Sequence, residues 1–315
     1  MKNKLKSIAP QDYISENDIL KWGNNILQTL LQDHATGRNI FWATDDYLAE
    51  GEGYGFYDEI TIDRITGFHN NLIMPRYAKT KSDQRNRSKD KAEVFTPSWI
   101  CNAQNNLIDS KWFGLTESPF NTMSSDHTEW FVKEDPIEFT GKKKWQDYVR
   151  SIRMEMTCGE APYLCSRFDA ITGKFFSDLY QRIGIIDRKL RVVTENTHEQ
   201  PSDQRAMWVR WAMAAYQSTY GYEWQGDNLY KARKALLLTY RDYFFDRWGE
   251  YPNGNLLRRI AEIISWNIWQ MDGLSFCVPS KDKDNLAETC LIAEWDMNNK
   301  KPIILNTIEY KSIIS

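Results

Sequence analysis

Apolar residues recur at helical spacing first in residues 11–34. Ile19, Leu20, Ile26, Leu27, Leu30 and Leu31 form the stripe, and Ser15 or Asn17 stands where a cap belongs, which predicts a helix. Between Asn39 and Gly67 the pattern dissolves into aromatics, acids and glycines, a texture of loops and short strands. Residues 98–110 again predict a helix, capped by Ser98 and carrying Trp99, Ile100 and Leu107. Residues 114–147 are irregular apart from an aromatic strand at Glu129–Val132. From there strand and helix patterns alternate. Strands are predicted at Met154–Thr157, Tyr220–Glu223, Trp266–Gln270, Thr289–Glu294 and Pro302–Leu305, and helices at Gln204–Ser218, Asn228–Trp248 and Leu256–Ile264. Alternation of this kind predicts an α/β fold, a mainly parallel sheet with helices on both faces. A helical and irregular region over 1–91 would precede it.

Composition sharpens the picture in three respects. Hydrophobic residues make up 42% and charged residues 26%, which predicts a packed core. The 13 Trp, 16 Tyr and 14 Phe supply large buried areas, and rings of this kind also stack on bases. The net charge of −3 leaves no global positive field, so nucleic-acid contact needs a local patch or a partner subunit. Residues 76–91 are such a patch: Arg76, Lys79, Lys81, Arg85, Arg87, Lys89 and Lys91 are opposed only by Asp83 and Asp90. A solvated loop is its default reading, and phosphate contact through counterion release is the alternative.

Five cysteines without Cys-x-x-Cys spacing and only four His argue against a disulfide framework or a zinc site. No apolar run is long enough for a membrane span, and Met1–Pro10 has no apolar signal core, so a cytoplasmic protein is expected. The acids Asp45, Asp46, Glu50, Glu52, Asp58 and Glu59 lack the spacing of a calcium loop, and no metal is expected.

Candidate chemistry collects at three predicted strand ends. Glu155-Met-Thr157-Cys158-Gly159-Glu-Ala161 runs a strand into a turn of small residues, where backbone N–H groups can approach a ligand. Glu223 ends the second strand, where an acid holds a ribose diol. Asp272 follows the third and could accept from an adenine amino group. An acid at one strand end is most often a turn or helix cap; three in series at the mouth of one sheet point to a nucleoside-shaped ligand.

In this order the segments resemble the N6-adenine DNA methyltransferases of restriction–modification systems. Phe95-Thr96-Pro97 resembles their "Y/F-T-P" motif, Glu155–Leu164 their "D-P-A-C-G-S-G-x-F-L" segment, Tyr220–Arg233 their Gly-x-Glu strand followed by Ala-Arg, and Asn267–Leu274 the acid-bearing segment after it. The stretches "CGEAPYL" and "YGYEWQGDNL" are also similar to small proteins labelled restriction endonuclease subunit M.

The resemblance implies a class I S-adenosylmethionine-dependent methyltransferase sheet over 92–315, with residues 166–203 as an insertion. It implies S-adenosyl-L-methionine as cofactor, held by Phe95, Thr96, Pro97, Glu155, Thr157, Cys158, Gly159, Ala161, Glu223 and Asp272. It also implies DNA, and a restriction or defence complex, as partners. The chain departs from the pattern in two places. Ala161-Pro162 replaces the second glycine, and no Pro-Pro occurs anywhere, so the N/D-P-P-Y/F catalytic motif is absent and no catalytic residue is assigned. An active methyltransferase and a catalytically degenerate cofactor-sensing or nucleic-acid-binding subunit are both readings of this pattern.

Overall fold

A computed structural model describes residues 14–75, 96–169, 171–197, 203–280, 288–299 and 302–314. The fold is mixed α/β, with helices and three small sheets among the described residues. The predicted N-terminal helix is two short ones, α1 (Glu16–Lys21) and α2 (Ile26–Leu31). Gly23, Asn24 and Asn25 take φ of 71°, 54° and 55°, and three successive left-handed residues turn the chain out of any α-helix. Ser15 is the cap of α1, closing a capping box with Asp18. A single turn, α3 (Ile62–Ile65), and the long α4 (Ser98–Phe113) follow. The β1–β2 hairpin (Asn121–Met123, Trp130–Val132) and α5 (Trp145–Arg150) lead to the part of the chain that carries the site.

That part contains β3 (Arg153–Glu155), α6 (Ile185–Asn196), α7 (Gln204–Gln217), β4 (Thr219–Glu223), α8 (Gly226–Trp248), α9 (Gly254–Asn267) and β5 (Ile268–Gln270). The strands form one parallel sheet in the order β3-β4-β5, with Glu155 opposite Gly221 and Glu223 opposite Gln270. The last two strands depart from expectation. β6 (Leu291–Trp295) and β7 (Ile304–Glu309) pair with each other antiparallel and do not extend the parallel sheet. Only residues 296–303 connect them, too few for the crossover helix that parallel pairing requires, and α10 (Lys311–Ile314) follows β7.

One hydrophobic core spans both sides of residue 91. Ile26, Leu27, Leu30 and Leu31 of α2 are buried in the same cluster as Leu257, Ile260, Ile263 and Ile264 of α9. Asn253 caps α9, accepting from the Leu256 N–H at 3.0 Å. α8 is buried on every side from Gly226 to Lys234, so it is the central helix and its charges need internal partners. Arg233 finds them in four backbone carbonyls, Leu30 and Ile268 at 2.7 Å, Gln32 at 2.9 Å and Ser265 at 3.0 Å, tying α2, α9 and β5 to one guanidinium.

The stretch expected as an insertion, 166–203, also contributes to the core. Ile186, Leu190, Val192 and Val193 of α6 are buried, and Arg188 joins Asp109 and Asn102 of α4. Its neighbour Lys189 is enclosed among oxygens of Ser151, Ser218 and Thr219, and burial holds its amine well below the ordinary lysine value.

Candidate functional site

Parallel pairing in this register brings the carboxyl ends of β3, β4 and β5 to one rim. The chain leaving β3 folds back over β4, where the Cys158 N–H donates to the Tyr222 carbonyl at 2.8 Å. Thr157, Gly159 and Ala161 all have positive φ, at 49°, 53° and 63°, so the turn winds through three left-handed positions, two of them strained for residues with a side chain. Gly221 beneath it has no room to spare. A Cβ there would lie 3.3 Å from both the Glu155 carbonyl and Leu164 Cδ1.

Two carboxylates share this rim. Glu223 Oε2 accepts from the Gly159 N–H at 2.8 Å and Oε1 from the Gln225 N–H at 3.2 Å. Burial pushes its proton affinity up, and those N–H groups oppose the rise. Burial likewise raises Glu155 well above the ordinary carboxylate value, against bonds from the Tyr163 and Leu164 N–H groups, and the nearby Glu223 charge adds to it. The Glu155 Oε2 is enclosed and accepts no hydrogen bond. A pair of crowded acids with one oxygen unmatched favours a ligand that brings a cation or hydrogen-bond donors.

The segment ahead of α4 closes the other side. Thr96 hydrogen-bonds the Tyr163 side chain, Cys101 Sγ lies 3.8 Å from the Thr96 carbonyl, and Asn105 Nδ2 donates to the Tyr163 carbonyl at 3.1 Å. Pro97, with φ −54°, caps the start of the helix. Burial first, and the Glu155 charge second, push the Cys101 thiol up to about 12. Thr96, Pro97, Glu155, Thr157, Cys158, Gly159, Ala161 and Glu223 therefore sit around one rim. Phe95 lies outside the described residues, as do Arg76, Lys79, Lys81, Arg85, Arg87 and Lys89 of the basic run.

Two expectations need correction. The turn 157–161 was expected to present its N–H groups to a ligand, but those of Cys158, Gly159 and Ala161 donate to Tyr222, Glu223 and Cys158. Asp272 was expected as an open acceptor beyond the third strand. It lies beside Tyr222, and its carboxylate closes its own turn, accepting from the Leu274 N–H at 3.0 Å and the Ser275 hydroxyl at 2.9 Å.

Sequence reasoning missed the N-terminal loop. Tyr47 donates to Asp227 Oδ2 at 2.9 Å, Lys231 bridges Asp227 at 3.5 Å and Glu160 at 3.0 Å, and the Gly226 N–H donates to the Trp42 carbonyl at 2.9 Å. Phe41 is held at both backbone groups by the Gln270 side chain, whose Nε2 also reaches the Trp224 carbonyl at 2.8 Å. Beside Phe41 opens a cleft of about 610 Å³ with Arg38, Tyr57 and Arg64 on its walls, and the Arg38 guanidinium lies 4.9 Å over the Phe41 ring. The acids of this loop serve the loop itself: Asp45 accepts from the Phe56 N–H, Asp58 from Gly55 and Glu59 from Asn39. Among the described residues no cluster of His, Cys, Asp and Glu could hold a metal ion, and no helix is long and apolar enough to cross a membrane.

No protein-family model, curated protein or solved structure matches this chain.

Proposed function

We propose that the rim binds S-adenosyl-L-methionine and that the chain is a methyltransferase-like protein related to the DNA adenine methylases, with β3, β4 and β5 as the first three strands of a class I methyltransferase sheet. The observation that carries this reading is the convergence of Glu155, Glu223, the 157–161 turn and Thr96–Pro97, drawn from three separate parts of the chain. The residues suit such a guest in two respects. Glu155 Oε2 is an unmatched acceptor, and the space outward of Gly159 is open, with nothing within 4 Å of where a Cβ would stand. Glu223 would take the ribose hydroxyls with the lone pairs its two N–H bonds leave over, and Thr96 and Pro97 would flank the methionine part. When bound, the cofactor supplies a sulfonium methyl group open to direct displacement; the chain's own residues orient it and exclude water.

A second reading, a cofactor-sensing or nucleic-acid-binding relative without catalysis, is favoured by one specific feature. The segment Glu294-Trp-Asp-Met-Asn298, where the family's catalytic motif would be sought, runs from β6 into the turn of an antiparallel hairpin. DNA contact through the 76–91 run, within a restriction or defence complex, is part of both readings.

Titration calorimetry with S-adenosylmethionine tests the proposal. Binding is expected, and Glu223→Gln should weaken it by about 1–3 kcal/mol through lost charge-assisted hydrogen bonds. No heat of binding from folded wild-type protein would end both readings. Transfer of labelled methyl to DNA by the chain alone would end the second.

A further inference from the structure

The cleft beside Phe41 is lined by none of the rim residues, and its walls are held in place from behind. The Gln270 side chain fixes both Phe41 backbone groups, at 2.8 and 2.9 Å, and the Phe41 ring is buried in a cluster with Tyr222, Trp269 and Tyr310. On this ring the Arg38 guanidinium is laid, 4.9 Å from its centroid. Arg64, carried by α3, is seated as firmly. Its guanidinium occupies the place where a Cβ on Gly53 would stand, so only a glycine, here with φ of 88°, leaves it room. Nη1 of Arg64 donates to the Thr61 hydroxyl at 3.3 Å, its carbonyl accepts from the Tyr54 hydroxyl at 3.2 Å, and its guanidinium lies 5.9 Å from the Tyr54 ring.

The two signs of charge on these walls are spent differently. Asp58 accepts from the Gly55 N–H at 2.9 Å and Glu59 Oε2 from the Asn39 N–H at 3.0 Å, so both carboxylates hold the loop. The guanidiniums lie against rings instead. A guanidinium stacked on a ring keeps its N–H donors in its own plane, pointing past the ring edge in the fork that matches a phosphate. Cations preset in this way lose little freedom when an anion arrives. Tyr57 adds a half-buried ring to the same cleft. Its volume of about 610 Å³ falls within the roughly 300–1,000 Å³ of small-molecule sites, far more than a bare phosphate fills. Phosphate chemistry beside a planar ring, in a space of that size, describes a nucleotide.

We propose that this cleft is a second binding site and that it takes a nucleotide, with the phosphate on Arg38 and Arg64 and the base against the Tyr57 ring. The inference uses no rim residue, and it holds or fails separately from the cofactor reading.

Titration calorimetry of the full chain with guanosine 5′-monophosphate tests this. Binding is expected with a dissociation constant below about 1 mM, and guanosine or inorganic phosphate should bind at least about tenfold more weakly, since each keeps only part of the contacts. Arg38→Gln and Arg64→Gln remove charge-assisted hydrogen bonds and should each weaken the nucleotide at least about tenfold. Arg38 is exposed, so its variant should leave the thermal melt in place. Tyr57→Leu should weaken the nucleotide while leaving inorganic phosphate as it was. Folded wild-type protein that binds no nucleotide at about 1 mM overturns the proposal. So does guanosine binding as tightly as its phosphate, or nucleotide binding that ignores Arg38→Gln and is lost in Glu223→Gln, which would place the nucleotide at the rim. Should Arg64→Gln lower the melt, Arg38 and Tyr57 decide alone. Once those variants have located the nucleotide in the cleft, competition with a short oligothymidylate names its source: displacement means a nucleotide within a single strand, and no displacement a free one.

Discussion

His34 shows how far a single residue's chemistry is set by its surroundings. Its ring stacks on Trp266 at 3.9 Å and 8°, and its Nε2 lies 2.8 Å from the Ser265 hydroxyl. Burial, then the Arg233 charge, push the imidazole down from 6.5 to about 3. The fold therefore favours the neutral ring, and the stability this contributes is whole above pH 6.5 and drains away as pH falls toward 3. The thermal midpoint should drop between about pH 6.5 and 4, and His34→Phe, which keeps the stack but cannot take a proton, should drop less steeply; equal slopes would remove His34 from the account. Glu155 and Glu223 were legible because an acid that ends an apolar strand is conspicuous in one dimension. Tyr47 was not, since its partner Asp227 is 180 residues away. Nor was the fate of Asp272, whose Leu274 and Ser275 partners look like ordinary loop residues until the turn is formed.

Elements followed the sequence where packing and propensity agree. α7, α8 and α9 stand within a few residues of where the apolar pattern put them. The pattern failed for α1 and α2, because hydrophobic spacing continues across a Gly-Asn-Asn corner that backbone sterics make non-helical. It also failed for β6 and β7, since period-2 patterning says nothing about which strand a strand will pair with. The start of α8 is the most constrained joint in the site. Gly226 sits so close to the N-terminal loop that a Cβ would fall 1.8 Å from the Phe41 carbonyl oxygen. Gly226→Ala must push α8 and residues 41–42 apart and should cost about 1–3 kcal/mol in urea denaturation, as overpacked sites do. Any ligand affinity of the rim should fall with it, because Glu223 lies three residues upstream. A change below about 0.5 kcal/mol, the size of an ordinary surface substitution, would mean the joint gives way freely.

At the scale of the molecule, the buried charge is as informative as the apolar core. Arg188, Arg233 and Lys189 are all enclosed, each by polar groups from distant segments. Cations so held are costly to leave unmatched, so they fix how helices meet. The surface charge poses a separate question, since a net −3 does not attract a polyanion. If the 76–91 run is the nucleic-acid contact, replacing Arg85, Arg87 and Lys89 by Ala should flatten the dependence of log affinity on log salt by about 2–3 units. An unchanged slope in fluorescence anisotropy would return the run to a solvated loop.

The sequence by itself determined the α/β class, the order of β3, β4 and β5 with their helices, and the two acids at the rim. Local propensity, apolar period and the polar residue that ends a strand are all written along the chain. Tertiary structure alone decided that the parallel sheet has three strands among the described residues, that the N-terminal loop closes on α8, and that the turn after β3 spends three of its N–H groups inside the fold. Those outcomes depend on contacts between residues far apart in the chain, and their energies exist only once the chain has closed the loops between them.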